Sequence, residues 1–357
     1  MKQRFIVYIG HPAQYHFFRN ALSALKRDGN EIKILIKTKD VLEELVKNDG
    51  WDYINIQTTP RKNAKLSILK AALIRTIEVF KIAKIFHADI LMGTDSSIAQ
   101  AAWLLRKPSF TTLEDDVEII KHLARLTYPF TSYIVVPNVC RVGKWEKKKV
   151  GYDGYMKLAY LHPKYFKANE DVVRQYNITG NYIILRLAKL TAHHDKGIKG
   201  LNENLVRNII SSARCHGVKI YISSERELTS ELEPYRLRIN PKDIHHIMAF
   251  ATMLISDSQS MSVESAMLGV PSLRFSDFAG RISVLEELEY KYQLTFGIPT
   301  SKPDELINKM NQLLAEKDLK KVFQSRHNKM LTEKIDVTAF LVELVEHYPL
   351  SVKTNNV

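Results

Sequence analysis

An α/β fold of two doubly wound domains facing across a cleft is predicted by three features of this sequence. Short β-rich runs alternate with longer helical ones, the alternation occurs as two series of similar size, and one irregular stretch separates the series. The chain of 357 residues is 45% hydrophobic and 25% charged, enough for about two domains that each bury a core. That composition excludes disordered, fibrous and collagen-like classes.

Taken in order, Phe5–Ile9, Ala13–Arg27 closed by Gly29, and Glu31–Lys37 read as a βαβ unit. Asp52–Gln57, Asp89–Met92, Ser109–Thr112 and Tyr133–Val136 read as further strands. The last is nearly continuous in apolar residues, as expected of a parallel strand covered on both faces. Together they form an N-terminal domain over 1–150. From Gly151 to Gly180 the regularity lapses into an aromatic, Pro-containing stretch, and 151–180 is read as the connection. Strands at Tyr182–Leu187, Val218–Ser223, Met253–Ser256 and Pro271–Phe275 then build a C-terminal domain over 181–332. The last helical stretch, Lys334–His347 within 333–357, is expected to pack back on the first domain.

Cys140 and Cys215 lack C-x-x-C spacing and read as buried small hydrophobes. The amino-terminal apolar run is too short for a signal peptide and no run suits a spanning helix, so the sequence predicts a cytoplasmic protein. The net charge is +13. Residues 1–162 hold 26 Lys and Arg against 16 Asp and Glu, a lopsided basic field that suits an acidic partner. No Arg-rich arm, RNP-like strand or helix-turn-helix signature points to nucleic acid. A helix through Arg61–Phe86 would gather Lys62, Lys65, Lys70, Lys81 and Lys84 on one side with Leu66, Leu73, Ile77 and Phe80. That face suits peripheral contact with anionic lipid, or lysines snorkelling along a packed helix.

The most informative segment runs from Met253 to Phe275. An apolar strand leads into Asp257, small polar residues follow, and a helix starts that Gly269 stops. Exposed amides at that start, with Ser258, Gln259 and Ser260, make a site for a diphosphate. Glu264, one turn in, has the reach to accept two hydrogen bonds from a ribose diol. The plain alternative is that Ser and Asp merely cap a helix.

Asp257-Ser258-x-Ser260-x-x-x-Glu264-x-Ala266-x-x-Gly269-x-Pro271 is similar to the donor motif of GT-B sugar-nucleotide enzymes, especially non-hydrolysing UDP-N-acetylglucosamine 2-epimerases. The resemblance implies that the serine and its neighbours hold the diphosphate and the glutamate the ribose. Gln259 and Ser260 stand where the epimerases use glycines. Over nearly its whole length the chain also resembles a domain-of-unknown-function family of archaeal and bacterial GT-B-like proteins. That likeness runs through Gly10-His11-Pro12-Ala13 with His16, His162-Pro163, Arg186 with Ala192-His193-His194-Asp195, Pro241-x-Asp243-Ile244-His245 and Asp257-Ser258. It implies a GT-B-like fold of two Rossmann-like domains. His193-His194 lies where the epimerases have a loop whose histidine contacts the donor phosphates, and the loop of Asn240 and His245 is where GT-B folds read the base. Arg186 and Arg274 would add positive charge near the phosphates.

Candidates for chemistry in the first domain follow its strands. His11 and His16, after the first strand, could take a proton from an acceptor hydroxyl, or could pack and cap the helix. Asp95, in Gly93-Thr94-Asp95, stands where the epimerases have a glycine-aspartate-threonine signature and could orient a histidine or act itself. Glu114 leads the acidic run Glu114-Asp115-Asp116, which is either a site or a solvated turn. Adjacent histidines suit a shared metal poorly, so no metal and no cofactor beyond a nucleotide-sugar substrate is expected. The resulting expectation is a glycosyltransferase that moves a sugar from a nucleotide-sugar donor, UDP-linked by the resemblance, to a lipid-linked or polyanionic acceptor in polysaccharide or cell-envelope glycoconjugate synthesis. A UDP-sugar 2-epimerase and a non-catalytic nucleotide-sugar or polyanion binding protein remain as alternatives.

Overall fold

The computed structural model describes residues 2–38, 41–57, 65–189 and 200–354. The chain divides into two compact units, one of residues 1–160 with 335–357 and one of 161–334.

In the first unit the elements run β1 (Arg4–Ile9), α1 (Pro12–Arg27), β2 (Glu31–Lys37), α2 (Leu42–Asn48), β3 (Tyr53–Gln57), α3 (Lys65–Phe86), β4 (Ile90–Gly93), α4 (Ser96–Leu105), β5 (Ser109–Thr112), α5 (Lys121–Thr127), β6 (Tyr133–Pro137) and β7 (Lys149–Tyr152). All strand pairs are parallel, in the order β3-β2-β1-β4-β5-β6-β7. Phe5 to Ile9 are fully buried, as the centre of a parallel sheet clothed by helices on both faces requires. Right-handed crossovers put α1 and α2 on one face and α3, α4 and α5 on the other. At the centre β1 and β4 approach so closely that a Cβ on Gly93 would lie 2.7 Å from the Tyr8 carbonyl oxygen.

A short helix, α6 (Leu158–Leu161), crosses the division between the units. The second unit then continues with α7 (Glu170–Gln175), β8 (Tyr182–Leu187), α8 (Glu203–Cys215), β9 (Lys219–Ser224), α9 (Ile244–Ala249), β10 (Met253–Ser256), α10 (Gln259–Met267), β11 (Ser272–Phe275), α11 (Ser283–Glu286), β12 (Thr295–Ile298), α12 (Pro303–Leu314) and α13 (Leu319–Glu333). Its sheet is also parallel, in the order β12-β11-β10-β8-β9. The amphipathic α14 (Val337–Glu346) belongs to the first unit and packs on α1. There Asn30 donates to Glu346 at 2.9 Å and Thr338 to the Ala159 carbonyl at 2.8 Å. The short α15 (Leu350–Thr354) closes the described chain.

The structure differs from the sequence reading here in three places. The stretch 151–180 is not one connection, because Gly151 and Tyr152 pair with β6 as part of β7. The edge strands β7 and β12 escaped notice because they are four residues long and each carries a glycine. Of the helix expected through Arg61–Phe86, residues 61–64 lie outside the described residues and Lys65–Phe86 are helical. Cys140 is buried, but Cys215, at the end of α8, is exposed.

Candidate functional site

In an open parallel sheet, ligands settle at the carboxyl ends of the strands where the winding direction reverses. In the second unit that reversal falls between β8 and β10, so Arg186, Ala188, Asp257 and Ser258 stand at its edge. Ser258 has extended backbone angles and is the N-cap of α10, its hydroxyl accepting from the Met261 amide at 3.5 Å. The Ser258 amide in turn donates to the Ser256 hydroxyl at 2.8 Å.

Asp257 has a separate task. It is buried and accepts from the amides of Ala188 at 2.6 Å and Leu201 at 3.3 Å, and from the Arg226 guanidinium. Burial raises its carboxyl above the usual range while these donors pull the other way. Its carboxylate therefore ties the backbone at Ala188 and at Leu201 to the end of β10. Sequence reasoning missed Arg226, which sits 31 residues away and carries no local signal.

Glu264 and His245 are brought together. Both are buried, and His245 Nε2 lies 3.6 Å from Glu264 Oε1. His245 is held at the start of α9, with Phe166 edge-on at 6.1 Å. The preceding turn, Pro241–Asp243, is capped by Asn240, whose side-chain oxygen accepts from the Lys242 amide. Asp243, the residue before α9, accepts from the Tyr176 hydroxyl at 2.7 Å.

Arg274 is fully buried in β11. Its Nη1 donates to Gln259 Oε1 at 3.3 Å, and the Gln259 amide donates on to the Ser276 hydroxyl at 2.9 Å. Nη2 lies 3.8 Å from Glu286 and 3.9 Å from Glu289, and among the described residues neither Nε nor Nη2 has a hydrogen-bond partner. The guanidinium fits there because β12 presents Gly297, where a Cβ would come within 2.4 Å of Nη2. Burial lowers the Arg274 pKa and raises that of Glu289. So placed, Arg274 reaches a surface anion only by holding Gln259 and through its field. Arg186 engages Ser223 at 2.8 Å and pairs with Glu225. Ser260 lies half-buried in the first turn of α10. His193 and His194 lie outside the described residues. Among the described residues no group of three His, Cys, Asp or Glu side chains is set to hold a metal ion.

In the first unit the reversal falls between β1 and β4, and the loops carrying His11 and Asp95 meet that edge. His11 is the N-cap of α1, its Nδ1 accepting from the Ala13 amide at 3.2 Å. A neutral His11 so bonded carries its proton on Nε2. His16, in the second turn of α1, lies tilted against Tyr160 with centroids 5.2 Å apart. Asp95 is the N-cap of α4. It accepts from the Ser97 amide at 3.0 Å and the Ser97 hydroxyl at 2.8 Å, and lies 3.6 Å from Arg75. Burial opposes its ionisation, but Arg75, the Ser97 amide and Lys37 hold its pKa below the usual carboxylate range.

The acidic run is neither an open site nor a solvated turn. Glu114 accepts from the Met156 amide at 2.7 Å and from Lys157 at 2.8 Å, both its oxygens engaged and Lys157 buried. Buried Asp116 accepts from the Arg141 amide at 2.8 Å. A cavity of about 360 Å³ between α1 and the turn before β3, lined by Arg19, Lys26, Asp49 and Trp51, lies at the opposite, amino edge of this sheet.

Two parallel doubly wound sheets of this kind define a protein of the GT-B fold. The fold is similar to that of S. aureus MnaA solved with UDP, at a TM-score of 0.71 and 12% identity over 99% of this chain and 98% of that one. It is similar to the UDP-GlcNAc 2-epimerase of Neisseria meningitidis bound to UDP-GlcNAc, at 0.69 and 12% identity over 96% and 100%. It is also similar to the glycotransferase of kitacinnamycin, at 0.62 and 11% identity over 97% and 99%. At these identities the likeness is one of fold. The chain belongs to the family described as protein of unknown function (DUF354), whose model matches residues 5–349. No curated protein matches the sequence significantly.

Proposed function

We propose that the protein is a nucleotide-sugar enzyme, and first a glycosyltransferase that moves a sugar from a UDP-linked donor to an acceptor in polysaccharide or cell-envelope glycoconjugate synthesis. One observation carries this reading. At the winding reversal of the second unit, the start of α10 with Ser258 is followed a turn later by Glu264, which buried His245 holds near the same edge. Folds of this class include structures solved with UDP and with UDP-GlcNAc, which supports the same ligand class here.

Charge grows on the diphosphate as the glycosidic bond breaks. The α10 amides, Ser258, Ser260 and a Gln259 fixed by Arg274 would meet that charge already oriented, where electrostatic catalysis gains most. Glu264 would accept from the ribose hydroxyls. In the first unit, a His11 that carries its proton on Nε2 suits donation to an acceptor oxygen. His16 is then the better candidate to remove the acceptor's proton, because the Asp95 and Glu114 carboxylates are tied up in caps and ion pairs.

Epimerisation of a UDP-sugar is the second reading, favoured by full-length fold likeness to an epimerase. It needs acid–base groups on both faces of one carbon, and the engaged state of Asp95 and Glu114 argues for transfer. A thermal-shift screen of nucleotides and nucleotide-sugars, followed by product analysis, tests both. A UDP-sugar that binds the folded chain raises its unfolding temperature. Release of UDP that depends on an acceptor supports transfer, and an inverted free UDP-sugar supports epimerisation. No shift with any nucleotide or nucleotide-sugar would overturn both.

A further inference from the structure

The two faces of the first sheet are finished differently. One is covered by α1, α2 and α14, and the other ends at α3, α4 and α5. Seven of the eleven large hydrophobic side chains exposed among the described residues lie on those three helices. Among them Leu73 is 61% exposed, Ile77 43%, Trp103 58%, Leu104 54% and Leu126 49%.

The three helices form one surface. Gln100 of α4 accepts from Thr76 of α3 at 2.9 Å and donates to the Leu126 carbonyl of α5 at 3.0 Å. Phe80, expected from sequence on the same side as Leu73 and Ile77, packs inward against the core. Lys62 and the side chains of Lys65, Leu66 and Lys70 lie outside what is described. Around the apolar residues stand exposed Lys81, Lys84, Arg106, Lys107, Lys121 and Arg125, while Glu78 is the acidic side chain on these helices.

We propose that the α3–α4–α5 face is a docking surface for an anionic lipid bilayer. Contiguous exposed apolar surface on a soluble domain marks an interaction site, and the charge around it selects the partner. A second copy meeting this face with the same face would set six cations against six. Anionic headgroups complement those cations while Leu73, Ile77, Trp103 and Leu126 enter the boundary between headgroups and acyl chains. Among the described residues no helix is long and apolar enough to cross a membrane, so contact of this kind lies on the bilayer rather than through it. The surface is independent of the nucleotide site, and its test is independent of nucleotide binding.

The test is flotation of the full chain with vesicles of phosphatidylcholine mixed with phosphatidylglycerol, and with vesicles of phosphatidylcholine alone. The protein is expected to float with the mixed vesicles and to be released by added salt. Lys81→Gln with Lys84→Gln should weaken partitioning about 30-fold, from the usual contribution of a lysine near an anionic surface. Leu73→Ser with Trp103→Ser should abolish it while leaving the unfolding temperature near that of the parent, because both side chains are exposed. Equal binding to both vesicle types, binding to neither, or a dimer that both variants dissolve would overturn the proposal.

Discussion

The carboxyl edges of the two sheets are built alike and furnished differently. In the first unit the acidic groups near the edge already have partners: Asp95 has Ser97 and Arg75, Glu114 has Lys157 and the Met156 amide, and Asp116 has Arg141. In the second unit His245 Nε2 lies 3.6 Å from Glu264, and the buried Arg274 guanidinium stands between Gln259 and the carboxylates of Glu286 and Glu289. Topology thus says where a ligand can sit, while the state of the local partners says what the residues there can still do. By that measure the first edge is braced by its own side chains, and under the proposed function it is the second that would receive the anion and the sugar hydroxyls.

The largest expected effect breaks a heavily bonded carboxylate of the second edge. Asp257→Ala removes a buried carboxylate that three donors share, Arg226 among them, and should cost about 3–5 kcal/mol of stability in urea unfolding. A loss below about 1 kcal/mol would mean that Asp257 does not hold Ala188, Leu201 and Arg226 in place. Next comes Glu114, which tests whether the first edge is structural. Glu114→Gln leaves Lys157 buried without its carboxylate and should cost about 3 kcal/mol. Adding Lys157→Met should restore most of it, with turnover retained once a substrate is found. Activity lost in the stable double variant would return Glu114 to the chemistry.

A smaller, pH-dependent effect belongs to the second unit. His327 is buried, with Nε2 2.8 Å from the carbonyl of Met267 at the end of α10, and burial lowers its pKa below 6.5. The unfolded chain therefore binds that proton first. The stability it contributes is full above pH 6.5 and falls as pH drops toward the folded-state pKa, with a slope of up to about 1.4 kcal/mol per pH unit. His327→Gln should flatten that part of the profile, and an unchanged profile would contradict the burial argument.

Much of the fold was legible because parallel strands buried on both faces are nearly unbroken apolar runs, as in Phe5–Ile9 and Tyr133–Val136. The edge strands β7 and β12 were not, since four residues with a glycine leave no periodicity to read. For the site, Ser258 and Glu264 could be read from local spacing on one helix. Their setting could not. The partnership of Glu264 with His245, and the ties of Glu114 to Lys157 and Asp257 to Arg226, join residues far apart in sequence. Arg274 read as a surface phosphate ligand because sequence does not show which face of β11 its side chain enters.

The role given to Glu264 is tested most directly by comparing UDP with 2′-deoxy-UDP in equilibrium titrations of the parent chain and of Glu264→Ala. The parent should bind UDP about tenfold more tightly than the deoxy compound, the loss expected for one hydrogen bond to a charged acceptor. Glu264→Ala should bind both equally and as weakly as the parent binds 2′-deoxy-UDP. Discrimination that survives in Glu264→Ala, or is missing from the parent, would contradict a nucleotide held at the start of α10.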